Sequence, residues 1–158
     1  MPSITNTPFS EITIGQTAEY SKLIEARDIQ LFAAVSGDVN PVHLDPEFAA
    51  TTPFGECIAH GMLSGAIISA AIAMQLPGPG TIYLGQSLRF RAPVKVGDTI
   101  TVKLQVTGKT DKRRVVSLDC NVYNQHATLV VSGTAEVMAP KERLTVARPA
   151  LPKVTIED

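Results

Sequence analysis

The spacing of hydrophobic residues predicts two helices in the first half of this chain. Residues 25–35 place apolar side chains such as Ile29 and Val35 on one face, and Gly37 is a suitable helix stop. Residues 60–76 form the main predicted helix, which is apolar nearly all round and rich in small residues. A helix with no polar face must be buried on all sides, so we expect this one at the centre of the core.

β-Structure is predicted for the second half, where apolar and polar residues alternate most clearly over residues 99–106. The predicted strands are 17–24, 81–90, 99–108, 114–123 and 127–138. A curved antiparallel sheet wrapped around one buried central helix satisfies the layer rules for a single α+β domain. Such a sheet leaves an edge strand unpaired, and pairing with a second copy is a natural way to cover it.

Composition and charge narrow the class of protein. A chain of 158 residues with 44% apolar residues has room for one domain with a substantial core, and its net charge of −1 does not favour nucleic acid as a partner. Residues 1–15 lack a signal-peptide pattern, and the main helix is shorter than the roughly 20 residues that a membrane span needs. Cys57 and Cys120 lack metal-ligand spacing, so we expect reduced thiols in a cytoplasmic protein.

One short segment places a carboxylate and an imidazole five residues apart. Asp38 and His43 flank a rigid turn at Asn40-Pro41, which can aim both side chains at one point. Near pH 7 such a pair can hold one water molecule, remove its proton and supply another proton elsewhere. Aspartate and asparagine are also ordinary turn-forming residues, so the spacing alone leaves a purely structural role open.

The start of the main helix is a second candidate region. The free backbone N–H groups and the positive end of the helix dipole collect at Gly61, where a ligand oxygen that gains negative charge would be stabilised. Gly61 has no side chain to block approach to its amide. The alternative is that Gly61 is a packing glycine and Ser64 a small core residue.

Several separate motifs occur in a fixed order along residues 12–138. They are Ser36-Gly37-Asp38-Val39-Asn40-Pro41-Val42-His43, Phe54-Gly55, Ile58-Ala59-His60-Gly61-Met62, Pro77-Gly78-Pro79-Gly80-Thr81, Phe90-Arg91-Ala92-Pro93-Val94 and Val96-Gly97-Asp98. Together these motifs resemble those of the MaoC-like dehydratases and (R)-specific enoyl-CoA hydratases. A series of motifs in order is far more specific than the Asp38/His43 pair alone.

The resemblance implies a hot-dog fold over residues 1–140, a homodimer, and no metal or organic cofactor. It implies an acyl-CoA thioester substrate and the reversible syn hydration of trans-2-enoyl-CoA to (3R)-3-hydroxyacyl-CoA, which is a hydro-lyase reaction. Residues 141–158 lie outside the resemblance, and their prolines and alternating charged and apolar residues predict a loosely ordered tail.

The resemblance also implies roles for individual residues. Asp38 and His43 would bind the catalytic water, and we assign Asp38 as the base because it is the ionised group. The Gly61 amide would polarise the thioester carbonyl, and Ser64 would have a positioning role. The motif residues that would support the turn are Gly37, Asn40 and Pro41.

Three other functions are alternatives. Hot-dog thioesterases usually carry a carboxylate on or near the central helix, and the absence of Asp and Glu between residues 58 and 88 argues against that reading. A dehydratase acting on acyl-carrier-protein thioesters would use the same chemistry but need a basic docking patch. A non-catalytic acyl-CoA-binding domain would not need an intact Asp38/His43 pair.

Other features are weaker. Tyr83 and Phe90 are expected to pack in the sheet, His126 to be exposed in a turn, and Cys57 to be a small buried hydrophobe rather than a nucleophile. The basic residues that either contact CoA phosphates or solvate an edge strand and hairpin are Arg89, Arg91, Lys95, Lys109, Lys112, Arg113 and Arg114.

Overall fold

Four helices and seven strands occur along residues 1–157, which the computed structural model describes. The helices are α1 (Ala26–Ser36), α2 (Pro41–Leu44), α3 (Pro46–Ala50) and α4 (Gly61–Met74). The strands are β1 (Ser3–Thr5), β2 (Thr17–Leu23), β3 (Ile82–Phe90), β4 (Thr99–Thr110), β5 (Val115–Tyr123), β6 (Leu129–Met138) and β7 (Thr145–Ala147). All five predicted strands and both principal helices are present.

The main sheet has five antiparallel strands in the order β2-β4-β5-β6-β3. Strand β4 shows the predicted alternation, because Ile100, Val102, Leu104 and Val106 are buried and the residues between them are more exposed. A bulge between Val106 and Gly108 lets β4 continue to Thr110 rather than end at Gly108. Residues of this sheet form half of the buried hydrophobic core.

Helix α4 packs against β2, β4 and β5 and is the buried central helix of the domain. Its fully or largely buried residues are Leu63, Ser64, Gly65, Ile67, Ile68, Ala71 and Ile72. Burying each Leu or Ile side chain contributes about 1.5–3 kcal/mol relative to leaving it exposed. One stripe, formed by Met62, Ala66 and Ala73, remains exposed on this chain, so the predicted burial on all sides is not reached within one copy.

No helix within residues 1–157 combines the length and the apolar character that crossing a bilayer requires. Helix α4 has 14 residues, fewer than the roughly 20 of a typical span. Its apolar surface is instead used against the sheet.

The C-terminal segment differs from the loosely ordered tail that we predicted. Residues 145–147 form β7, which pairs in antiparallel register with β1. The prediction of a loosely ordered tail was wrong for these residues, because the Asn6 side chain holds the segment before them. Asn6 Nδ2 donates to the Glu142 carbonyl at 3.0 Å, and Asn6 Oδ1 accepts the Leu144 amide at 2.9 Å. Residues 148–157 form no regular element and are exposed. The domain boundary at residue 140 stays a prediction.

Candidate active site

A glycine lets the chain present Asp38 just beyond α1. Gly37 is the C-cap of that helix with φ of 80°, a left-handed conformation that is costly for residues with a Cβ. Its amide donates to the Ala33 carbonyl at 2.8 Å, which ends the helix. Asp38 Oδ1 then accepts the Asn40 amide at 3.0 Å, so Oδ2 is left for another partner.

A short helix orients His43. Asn40 caps α2 through its Oδ1, which accepts the Val42 amide at 3.3 Å, and Pro41 occupies the first turn. In the last turn, His43 Nδ1 lies 2.7 Å from the Ile58 carbonyl oxygen. A carbonyl can only accept, so Nδ1 carries a proton whether the ring is neutral or charged. Nε2 is therefore the nitrogen that gains and loses a proton.

The Asp38 carboxylate and the His43 imidazole face each other across a gap that one water molecule can bridge. Oδ2 and Nε2 are 3.9 Å apart, which is longer than a direct hydrogen bond. A water molecule between them can bond to both atoms. The His43 side chain is 10% exposed and that of Asp38 is 48% exposed, so the gap is open to solvent on the Asp38 side.

A cavity of about 330 Å³ adjoins this pair at the N-terminal end of α4. Its polar lining comes from His43, His60, Gly61, Ser64 and Arg91, and the other lining residues are mostly apolar. Asp38 lies outside the lining and reaches it through the His43 contact. As the first residue of α4, Gly61 has an amide with no acceptor in its own helix, so that N–H can bind a ligand oxygen at the cavity wall.

His60 lies in one of the sequence motifs but was given no role there, and the structure places it against both His43 and the Asp38 backbone. The ring is 3% exposed and stacks on His43 with centroids 3.9 Å apart and planes 27° apart. His60 Nε2 lies 3.0 Å from the Asp38 backbone carbonyl oxygen. The one available signal was its position directly before Gly61, at the N-cap of the central helix.

Phe90 was also misjudged, because we expected it only to pack in the sheet. Its ring lies over Gly61 so closely that a Cβ on Gly61 would be 2.9 Å from Phe90 Cε1. The same ring lines the cavity. A side chain at position 61 would therefore require the Phe90 ring to shift.

Asp38, His43 and His60 are also the described residues whose side chains come close enough together to suggest a metal site. Imidazole lone pairs lie in the ring plane, and two rings stacked at 27° direct them nearly parallel rather than toward one ion. This geometry suits proton transfer better than tetrahedral coordination.

The two cysteines are poor nucleophiles. Burial, followed by the negative charges of Asp45 and Glu56, raises the pKa of the Cys57 thiol. Burial raises the pKa of Cys120 to about 12. Both groups are therefore protonated thiols at neutral pH, and nucleophilic catalysis requires the thiolate.

Comparison with known proteins agrees with this arrangement. The family model described as the MaoC like domain matches residues 9–127 of the chain. The chain belongs to the MaoC-like family. The (R)-specific enoyl-CoA hydratase of Aeromonas caviae is 45% identical over 129 residues, which are 82% of this chain and 96% of that protein. The (R)-specific enoyl-CoA hydratase of Rhodospirillum rubrum is 46% identical over 134 residues, 84% of this chain and 91% of that one.

A solved structure extends the match to nearly the whole of this MaoC-like chain. The unliganded R-hydratase PhaJ1 from Pseudomonas aeruginosa superposes with a TM-score of 0.94 and 57% identity, covering 99% of this chain and 100% of that one. The predicted hot-dog fold is thereby confirmed. The structure also brings together the predicted residues Asp38, His43, Gly61 and Ser64 at one end of α4, while their chemical roles stay predictions.

The basic residues singled out from the sequence differ in whether they lie at the cavity. Arg91 lines the cavity and donates from Nε to Ser132 Oγ at 3.0 Å. Lys109 Nζ instead donates to the Phe9 and Ile12 carbonyls, and Arg114 Nε donates to the Ala139 carbonyl. Lys109 and Arg114 therefore bind backbone carbonyls away from the cavity, whereas Arg91 lines the cavity as well as contacting Ser132.

Proposed function

We propose that this MaoC-like protein is an (R)-specific enoyl-CoA hydratase. It adds water reversibly to a trans-2-enoyl-CoA thioester and forms the (3R)-3-hydroxyacyl-CoA. The observation that carries the proposal is the 3.9 Å separation of Asp38 Oδ2 and His43 Nε2 beside a mainly apolar cavity. That separation suits one water molecule held by two proton-carrying groups next to an acyl chain.

The reaction balances with these two side chains alone. Asp38 accepts one proton from water as the water oxygen forms a bond to C3 of the substrate. His43, in its protonated form, delivers the Nε2 proton to C2. Asp38 then returns its proton to His43 through the next water molecule, and the pair is restored. Both groups act from one side of the double bond, so the addition is syn.

The start of α4 supplies the electrostatic part of the mechanism. Electron density moves onto the thioester oxygen when water attacks C3, and the Gly61 amide donates to that oxygen at the positive end of the helix dipole. Ser64 is buried in the cavity wall one turn further along and positions the acyl chain. Since proton transfer and one amide suffice, we propose that no metal or organic cofactor takes part.

The substrate enters with its acyl group in the cavity and its CoA moiety outside. Arg91 is the basic residue at the cavity wall, and we propose that it contacts the CoA phosphates. The unpaired thiols of Cys57 and Cys120 fit a reducing compartment, and we propose a cytoplasmic location.

We further propose that two copies form a homodimer through β3. This strand is an edge of the main sheet, and it exposes Ile82, Leu84 and Phe90. The exposed stripe of α4 carries Met62, which is 58% exposed, and it too would be covered by a partner. Light scattering after size exclusion measures the mass, and we expect Leu84→Glu to shift it from dimer toward monomer. A monomeric wild-type protein would exclude the dimer.

The deciding experiment is hydration of crotonyl-CoA by the purified protein, coupled to an (R)-specific 3-hydroxyacyl-CoA dehydrogenase, with free thiol monitored in parallel. We expect coupled turnover without thiol release, and none when an (S)-specific dehydrogenase replaces the coupling enzyme. Thiol release would identify a thioesterase. Turnover only with acyl-carrier-protein substrates would identify the alternative dehydratase. No reaction with any of these substrates would leave a binding domain.

A further inference from the structure

We infer that His60 is a positioning residue that holds Asp38 and His43 at their working separation. The inference rests on the proposed function, because it concerns the same pair of groups. His60 contacts both of them, with its ring face on the His43 imidazole at 3.9 Å and its Nε2 at 3.0 Å from the Asp38 backbone carbonyl. Thus one side chain links the loop that carries the carboxylate to the ring that faces it.

The hydrogen bond to Asp38 defines the tautomer of His60. The Asp38 carbonyl can only accept, so the His60 proton is on Nε2. Within residues 1–157, His60 Nδ1 is buried and has no hydrogen-bond partner. A second proton there would be a buried donor without an acceptor, so the neutral ring is the form that fits. His43 has the opposite tautomer, with its proton on Nδ1 toward Ile58.

The packing around His60 fixes its orientation. Phe32 lies against it with ring centroids 4.9 Å apart, so His60 is held between Phe32 on α1 and His43 on α2. His60 is also the N-cap of α4, directly before the Gly61 amide. Its backbone therefore places the proposed oxyanion donor while its side chain places the proton-transfer pair.

Two variants separate the contacts of His60. His60→Phe keeps an aromatic face against His43 and removes the donor to Asp38, whereas His60→Gln keeps an amide donor and removes the ring. Residues that orient a reacting group change activity by about 10- to 100-fold when they are replaced. We expect each variant to lower kcat by about that factor and to change KM by less than about threefold. His126→Phe, at an exposed turn position, is the matched control and should keep wild-type kcat.

A double-mutant cycle distinguishes positioning from a general loss of stability. If His60 acts through the pair, adding His60→Phe to His43→Ala should cost less than about a threefold further loss in kcat. Multiplicative losses would overturn the positioning role, as would wild-type kcat in both single variants. A wild-type protein without hydratase activity would instead overturn the proposed function and this inference with it.

A spectroscopic measurement on the wild-type protein is independent of turnover and of how the variants fold. Long-range ¹H–¹⁵N spectra of the imidazole rings report which nitrogen is protonated. For His60 we expect a neutral ring with the proton on Nε2 at neutral pH, and for His43 a proton on Nδ1. A His60 ring that is doubly protonated, or protonated on Nδ1 alone, would overturn the inference.

Discussion

The polar groups around the two ends of α4 differ in how completely they are hydrogen-bonded. At the N-terminal end, the Gly61 amide has no acceptor in its helix, His60 Nδ1 lacks a partner within residues 1–157, and Asp38 is half exposed. Beyond the C-terminal end, Asn6 is 2% exposed, and its side chain makes three hydrogen bonds to backbone groups on two segments. At the N-terminal end these groups can still bind a ligand, whereas at the C-terminal end the Asn6 side chain already binds the protein backbone.

This difference assigns a functional role to the groups around one end of α4 and a stabilising role to those around the other. A buried polar group that is fully hydrogen-bonded stabilises the folded chain, and removing its partner leaves a costly unsatisfied atom. A polar group without a hydrogen-bond partner in the protein does not stabilise the fold through such a bond, but it can bind a substrate. We therefore expect substitutions at the N-terminal end to change turnover and those at the C-terminal end to change the free energy of unfolding.

The largest expected effect is at the proton-transfer pair. Asp38→Asn and His43→Ala should each lower kcat by about 10²–10⁴-fold, because each removes a group that carries a proton in the reaction. The melting temperature of Asp38→Asn should stay near that of the wild type, since that side chain is 48% exposed. His43→Ala should stay folded but melt at a lower temperature, because it also removes the hydrogen bond to the Ile58 carbonyl and the stacking on His60. Steady-state kinetics and thermal unfolding measure the two quantities.

Asp45→Asn is the matched control for Asp38→Asn. Asp45 caps α3 by accepting the amides of Glu47 and Phe48, and asparagine caps a helix equally well. This variant should retain wild-type kcat. Folded Asp38→Asn and His43→Ala proteins with wild-type activity would show that the site has been assigned to the wrong residues.

The next largest effect is expected for Gly61→Ala. The added Cβ would lie 2.9 Å from Phe90 Cε1, so the ring has to shift at the cavity wall beside the proposed oxyanion donor. A displacement of about 1 Å at the reacting groups costs roughly 10²-fold, and we expect kcat/KM to fall by about that factor. Gly108→Ala is the control, because its Cβ would meet only Ser117 atoms at 3.8 Å. Equal activity of the two variants would contradict the steric role of Gly61.

At the other end, Asn6→Ala should change stability and leave turnover unaltered. The substitution leaves the Pro79 and Glu142 carbonyls and the Leu144 amide without their partner. We expect the free energy of unfolding to fall by about 2–3 kcal/mol in a denaturant titration. Asn121→Ala, at a partly exposed position of β5, is the control. A fall in kcat without a loss of stability would show that Asn6 contributes to turnover and not to the stability of the fold.

The smallest effect is expected at Cys57, which lies near the open end but has no role in the reaction. Its raised pKa keeps the thiol protonated at pH 7, and the reactive thiolate appears only as the pH rises. Cys57→Ser should therefore change kcat/KM by less than about twofold. Iodoacetamide at pH 7 should leave the wild-type activity unchanged. Rapid inactivation of the wild-type protein would contradict the expectation that the Cys57 thiol is unreactive at pH 7.

Much of the fold could be predicted because its elements depend on neighbours in sequence. The strand pattern of 99–108 and the helix stop at Gly37 are local signals, set within a few residues, and the structure contains both. Asp38 and His43 were also found locally, since a segment of six residues carries them both.

Local patterns contain no information about contacts between distant segments, and only the tertiary structure decided those. His60 is 17 residues from His43 and 22 from Asp38, and its role as a link between them depends on how α4 docks against α1 and α2. Strands β1 and β7 have three residues each, too few for a period to be read, and they exist because they pair with each other. Asn6 likewise gains its partners from a segment 136 residues away. Local sequence patterns therefore predicted the five strands of the main sheet, the two principal helices and the reactive pair, whereas long-range packing determined β1, β7 and the contacts that hold that pair in place.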